Sequence, residues 1–190
     1  MSLKQPAKKI EFPRDYEISP HAAATAPTLP TTSSEITRGE RILIAEDDPV
    51  SREILMTRLQ KWGYDVVITR NGQEAMTVMR GANAPTLAIL DWMMPGMDGV
   101  EVCRRLREVN KAVYIILLTS LGTKENIMQA LEAGADDYLV KPFNPFALQT
   151  RVRVGLRIIG LQTALADRVQ ELETAAAEVE FLKGRLQMPL

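Results

Sequence analysis

Between residues 41 and 142 the chain switches repeatedly between two kinds of segment. RILIAE, YDVVIT, TLAILD, VYIILLT and DYLVK are short and rich in Val, Ile, Leu and Tyr. Apolar runs of this length, bounded by turn residues, read as strands buried on both faces. Between them the apolar residues recur at helical spacing. Ile54, Leu55, Leu59 and Trp62 line one face, Val102, Cys103, Leu106 and Val109 a second, and Ile127, Ala130 and Leu131 a third. Asn71-Gly72, Pro95-Gly96, Gly122 and Gly134 mark the joins. Five repeats of strand then helix predict an α/β fold: a five-stranded parallel sheet, right-handed crossovers, and helices on both faces.

The 190 residues allow one such domain of roughly 120 residues plus extensions. A net charge of -1 gives no reason to expect nucleic acid or an anionic membrane as partner. One cysteine (Cys103) excludes an internal disulfide, and with His21 as the only histidine, zinc ligation and a Ser-His-Asp triad are disfavoured. Cys103 shares helical spacing with Val102 and Leu106 and reads as a small buried hydrophobe. No apolar run approaches the ~18 residues of a membrane span, and the N-terminus lacks a signal-peptide core, so a cytoplasmic location is expected. Residues 1–38 hold five of the eleven prolines and no glycine. Their small, uncharged stretches cannot bury enough surface to offset ordering, and a disordered arm is expected there.

Residues 143–190 begin as a fifth helix and run well past ordinary helix length. Ile158, Leu165, Leu172, Val179 and Leu186 repeat every seven residues, with Leu161, Arg168, Ala175 and Leu182 in the second seam. This predicts a coiled coil over 156–190, after a globular domain at 39–155, with a parallel homodimer through 157–188. Glu178 and Lys183 occupy g and e positions that can pair between chains. Arg168 in the seam and Gly155, Gly160 and Gly184 in the helix weaken the pattern, each glycine by about 1 kcal/mol relative to Ala. Pro189 stops it.

In an open parallel sheet, ligands lie beyond the carboxyl ends of the strands. Here those ends carry Glu46-Asp47-Asp48, Asp91, Thr119-Ser120 and Lys141-Pro142. Were the strand order 2-1-3-4-5, all of these would meet on one rim. Clustered carboxylates repel and require a cation, and oxygen ligands without His or Cys favour Mg²⁺ or Mn²⁺. A lysine and a hydroxyl beside a carboxylate complete a phosphoryl-transfer site with Asp91 as nucleophile. Asp48, just before Pro49, reads as the cap of the first helix.

The segments ILIAEDDP, LAILDWMMPGMDG, IILLTS and GADDYLVKPF, in that order, resemble the receiver domain of bacterial two-component response regulators. The resemblance covers residues 41 to about 155. The strand order 2-1-3-4-5, a flavodoxin-like doubly wound sheet, comes with it. It implies that Asp91 accepts phosphate from a sensor histidine kinase or a phosphotransfer protein. Glu46 and Asp47 would hold Mg²⁺ with Asp91 and the backbone carbonyl of Met93. Thr119 and Lys141 would bind the phosphoryl group, with Thr119 and Tyr138 as the switch pair and the face formed by the fourth helix, the fifth strand and the fifth helix as the transmitting surface. The side chains over the path of an attacking water would be Met93 and Leu121. Both are apolar, so slow self-dephosphorylation is expected. Trp92, next to the nucleophile, is expected to be exposed enough to report on the site. Asp98, Asp136 and Asp137 read as turn and surface acids.

Three other classes compete. A phosphatase of the haloacid dehalogenase type wants an acid two residues after the nucleophile, where this chain has Met93. A dinucleotide-binding domain wants a glycine-rich turn after the first strand, where this chain has AEDDP. Neither fits, and no enzymatic activity is expected beyond self-phosphorylation from a donor and self-dephosphorylation. The third class is a stand-alone receiver that docks on a partner protein as an adaptor, against which the heptads argue. No basic recognition helix follows residue 142, so direct DNA binding is not expected.

Overall fold

The computed structural model describes residues 39–186, apart from 110, 111 and 121 and the side chains of 182 and 184–186. The arm at 1–38 with His21, Leu121, and Pro189 lie outside the described residues. Five strands alternate with five helices: β1 (Arg41–Ala45), α1 (Pro49–Lys61), β2 (Asp65–Thr69), α2 (Gly72–Met79), β3 (Leu87–Asp91), α3 (Gly99–Val109), β4 (Tyr114–Thr119), α4 (Lys124–Glu132), β5 (Asp137–Val140) and α5 (Pro145–Leu186). All strand pairs are parallel, in the order β2-β1-β3-β4-β5. The flavodoxin-like expectation is therefore met.

The two-residue period of a strand divides the core into two layers. Ile42, Ile44, Leu87, Ile89, Ile116, Leu118 and Leu139 face α1 and α5, where they meet Leu55, Leu59, Leu148, Val152 and Leu156. Leu43, Ala45, Ala88, Leu90, Ile115 and Leu117 face the other side and meet Met76, Met79, Val102, Cys103, Leu106 and Ala130. Burial pushes the Cys103 thiol up to about 11, so it behaves as the expected small hydrophobe.

The helix faces are narrower than the sequence spacing suggested. Ile54, Val109 and Leu131 are exposed, although each extends an apolar series. On α1 the buried residues are Leu55 and Leu59, four apart, and Ile54 is turned one residue away from that line. Val109 ends α3, and α4 buries only the small Ala130.

Core packing on α5 reaches Leu156, with Ile159 against it, slightly beyond residue 155. Gly155 was expected to be a flaw in the helix, and instead it is a contact. A Cβ there would lie 2.5 Å from the Tyr114 ring, so the glycine lets α5 pass close over β4. No such neighbour exists at Gly160. From Gly160 to Phe181 every residue is exposed, including Leu161, Leu165, Leu172 and Val179 of the heptad series. In the seam, Arg168 pairs with Glu171 of its own helix at 2.7 Å. Lys183 pairs at 2.9 Å with Glu180 of the same helix.

Gly99, at the start of α3, controls how closely that helix approaches the end of β3. A Cβ on it would lie 2.2 Å from the carbonyl oxygen of Asp91, a backbone atom that cannot yield. Gly99→Ala is expected to lower stability by roughly 1–3 kcal/mol or more, the usual range for overpacking. Urea denaturation checks this, and an unchanged midpoint would contradict the close contact.

Candidate functional site

Strand register builds the site. Ala45 lies beside Leu90 and Thr119 beside Val140. The ladder continues one step past the strand ends, with Glu46 N–H donating to Thr69, Trp92 N–H to Leu118 and Lys141 N–H to Thr119. Glu46 and Asp91 therefore stand at the ends of adjacent strands, and Lys141 at the end of β5, across β4 from Asp91. By the two-residue period all three share the parity of Ile44, Ile89 and Leu139, and so project toward the α1/α5 side of the rim.

Their side chains meet. Lys141 Nζ lies 2.6 Å from Glu46 Oε2 and 2.8 Å from Asp91 Oδ1. Oxygens of Glu46, Asp47 and Asp91 fall within 4.8 Å of one another, with Glu46 and Asp91 buried and Asp47 exposed. Three carboxylates with one solvent-facing edge and no nitrogen or sulfur donor suit a hard divalent cation such as Mg²⁺. Burial raises the carboxyl groups of Glu46 and Asp91 above their ordinary range, and the Lys141 ammonium only partly offsets this. Burial pulls Lys141 downward, but its hydrogen bonds to Asp91 and Glu46 outweigh that and hold it above the usual value. These directions agree, because two acids share one base and the cluster keeps an uncompensated negative charge.

The remaining candidates fall into place around this cluster. Asp48 accepts a hydrogen bond from Ser51 N–H at 2.7 Å and caps α1, as its position before Pro49 suggested. Thr119 is buried at the end of β4. Tyr138 is partly buried in β5 opposite Leu117, two residues along β4 from Thr119. Met93, two residues after Asp91, is 61% exposed. Leu121, the other residue expected over the water path, lies outside the described residues.

Trp92 departs from expectation. It is 6% exposed and belongs to the layer under α2–α4. Its backbone still bonds to Leu118, so the strand alternation continues and sends its ring inward after Leu90. Three acids read as surface groups also have structural partners. Asp98 caps α3 through Glu101 N–H at 2.7 Å. Asp136 accepts from Ile115 N–H at 2.7 Å and pairs with Arg107, which also donates to the carbonyls of Val113 and Gly134. Asp137 pairs with Arg151 of α5 at 3.2 Å, and the same guanidinium donates to the Tyr138 carbonyl at 3.0 Å. Arginines that recruit distant carbonyls leave no periodic trace, so no sequence signal pointed to Arg107 or Arg151.

A family model described as the response regulator receiver domain matches residues 42–153. The chain belongs to that family. Among curated relatives it is 48% identical over 118 residues to the regulator ycf27 of Pyropia yezoensis, a match covering 62% of this chain and 48% of that one. It is 42% identical over 121 residues to the DNA-binding response regulator MtrA of Mycolicibacterium smegmatis, covering 64% of this chain and 52% of the relative. The chain spans about half the length of the curated relatives it matches. Among solved structures, the Klebsiella pneumoniae RstA BeF3-activated N-terminal receiver domain matches with a TM-score of 0.58 and 39% identity, covering 62% of this chain and 98% of that one. The receiver domain of the Francisella response regulator 1452 gives 0.60 and 32%, covering 63% and 98%. Receiver domains generally use Mg²⁺, and Glu46, Asp47 and Asp91 are the residues here that could hold it. Receiver domains of response regulators also interact with histidine kinases. Among the described residues no helix is long and apolar enough to cross a membrane.

The raised carboxyl groups set the sign of a pH effect. Without metal, Glu46 and Asp91 hold their protons more tightly in the folded than in the unfolded receiver. Their contribution to stability is therefore greatest at acid pH and is lost as pH rises through their raised folded-state values. Mg²⁺ bound to the ionised carboxylates would reverse this trend; at a concentration of 100 times its dissociation constant it would add about 2.7 kcal/mol. Thermal melts from pH 4 to 7, with Mg²⁺ or a chelator, should diverge as pH rises, and the divergence should vanish in Asp91→Asn. Parallel curves in the wild type would rule out a metal at this cluster.

Proposed function

We propose that the receiver is a phosphorylation switch acting through Asp91. The observation that carries this reading is Lys141 Nζ held between Glu46 and Asp91, at 2.6 and 2.8 Å, on a rim that also carries Asp47 and Thr119. An Asp91 carboxylate oxygen attacks the phosphorus of a phosphohistidine on a histidine kinase or phosphotransfer protein. The nitrogen–phosphorus bond breaks, and the electron pair leaves with the imidazole. Glu46, Asp47, Asp91 and the Met93 carbonyl would hold Mg²⁺, which when bound would neutralise the incoming phosphoryl charge. Lys141 already touches Asp91 and can follow the new negative charge onto a phosphoryl oxygen, while Thr119 presents a hydroxyl from the adjacent strand end. The switch then passes through Tyr138 in β5 to α5. Beyond self-phosphorylation and self-dephosphorylation no enzymatic activity is assigned.

Incubation with acetyl phosphate and Mg²⁺, followed by mass spectrometry, should place a single acyl phosphate on Asp91, and chelation should abolish it. Label retained in Asp91→Asn would move the acceptor elsewhere. The phosphorylated state should also be long-lived. Met93 is apolar and exposed beside the acceptor, and it can neither orient nor deprotonate a water. Met93→Asn should speed the decay of phosphorylated protein after donor removal, and an equal or slower decay would free Met93 from that role.

The exposed seam of α5 supports a parallel homodimer and an output module beyond it, in preference to a stand-alone adaptor. A single solvated helix is marginal in water, and the apolar series Ile158, Leu161, Leu165, Leu172 and Val179 has no cover within the described chain. Glu178 and Lys183 suit a parallel partner, for roughly 0.2–1 kcal/mol as an exposed pair. Light scattering should give twice the chain mass for the full chain and a monomer for a chain ending at Gly160. The cut belongs there because Leu156 and Ile159 are part of the core. Equal association of both chains would place the interface on the globular domain, and a monomeric full chain at micromolar concentration would favour the adaptor.

A further inference from the structure

Arg52 is an odd residue for its place. It lies in the first turns of α1, where a cation opposes the positive end of the helix dipole. Its side chain turns back over the helix terminus instead of reaching into solvent. One terminal guanidinium nitrogen donates to the carbonyl of Glu46 at 2.8 Å and to the carbonyl of Asp47 at 3.0 Å. The loop between β1 and α1 is thereby fixed along its length. Glu46 N–H is held by Thr69, the carbonyls of Glu46 and Asp47 by Arg52, and Asp48 by its cap on Ser51.

That loop supplies both carboxylates that converge with Asp91. Their mutual repulsion tends to open it, and nothing in the carboxylates themselves resists this. Carbonyls bonded to one rigid, planar group cannot rotate independently, so the side chains they carry keep their relative direction. We propose that Arg52 is a positioning residue for divalent-cation binding, holding the Glu46–Asp47 backbone so that both carboxylates face Asp91. The inference rests on the reading of the acidic rim as a Mg²⁺ site.

Charge and positioning make opposite predictions here. Removing a cation near three carboxylates should tighten Mg²⁺ binding if Arg52 acts only through its charge. Removing the clamp should weaken it, on the order of 10-fold, as for other groups that orient metal ligands. The experiment is calorimetric titration of the full chain with Mg²⁺, for wild type, Arg52→Met, Arg52→Lys and Arg58→Met. Arg58→Met makes the same charge change in the last turn of α1, away from the loop. The expected order is wild type and Arg58→Met tightest, Arg52→Lys intermediate and Arg52→Met weakest. Melts in chelator show that each variant is folded; if Arg52→Met does not fold, Arg52→Lys carries the test, and affinity equal to wild type there overturns the inference. Equal or tighter binding by a folded Arg52→Met overturns it too, and leaves the Mg²⁺ site standing. Absence of Mg²⁺ binding in the wild type sinks the reading of the rim itself.

Discussion

Two buried carboxylates share one ammonium at the rim of the sheet, and much of the structure exists to hold them there. Glu46 and Asp91 would repel each other if brought together alone. Lys141 reaches both, yet one positive charge cannot balance two buried acids and the neighbouring Asp47. The domain thus carries an electrostatic deficit that a divalent cation would relieve. Such a deficit costs stability in the metal-free state, which is the usual relation between a functional site and its scaffold.

The scaffold meets this cost with backbone order. Parallel strands bring three chain segments to one edge with the same side-chain parity, and the ladder runs one residue beyond each strand. Arginines then secure the connections. Arg107 joins the end of α3 to the turn before β5, Arg151 joins α5 to β5, and Arg52 joins α1 to the acidic loop. Each donates to carbonyls that fall outside the regular ladders. Loops that would otherwise depend on solvent are tied to the core, and the site inherits the rigidity of the sheet.

The fold was legible because buried parallel strands are nearly continuous apolar runs, and this chain has five of them with helices between. The rim was legible because Glu46, Asp47, Asp91, Thr119 and Lys141 all sit at strand ends, where topology alone brings them together. Legibility failed where side chains act at a distance or turn unexpectedly. Trp92 next to Asp91 looked like a surface reporter, but the persistence of the strand buried it. Ile54, Val109 and Leu131 looked like core, but the sheet is only wide enough to cover part of each helix. Gly155 looked like a defect in a coil until the ring of Tyr114 was seen beneath it.

One feature of α5 bears on how far an event at the rim can be felt. The helix runs unbroken through 42 residues, about 63 Å at the ordinary rise per residue. No proline interrupts it after its first residue, so it has none of the usual cause for a kink. Its first turns are gripped by the sheet through Leu148, Val152 and Leu156, and by Arg151 beside Tyr138. From Gly160 to Phe181 its residues are exposed. A rod held at one end and exposed along the rest would behave as a torsion shaft. A small turn about its axis at Val152 would arrive at Val179 as the same angle, and would change there which side chains point toward whatever lies alongside. Angle, unlike displacement, does not fade along a stiff helix, so the length of α5 would not weaken a change that began at the edge of a strand.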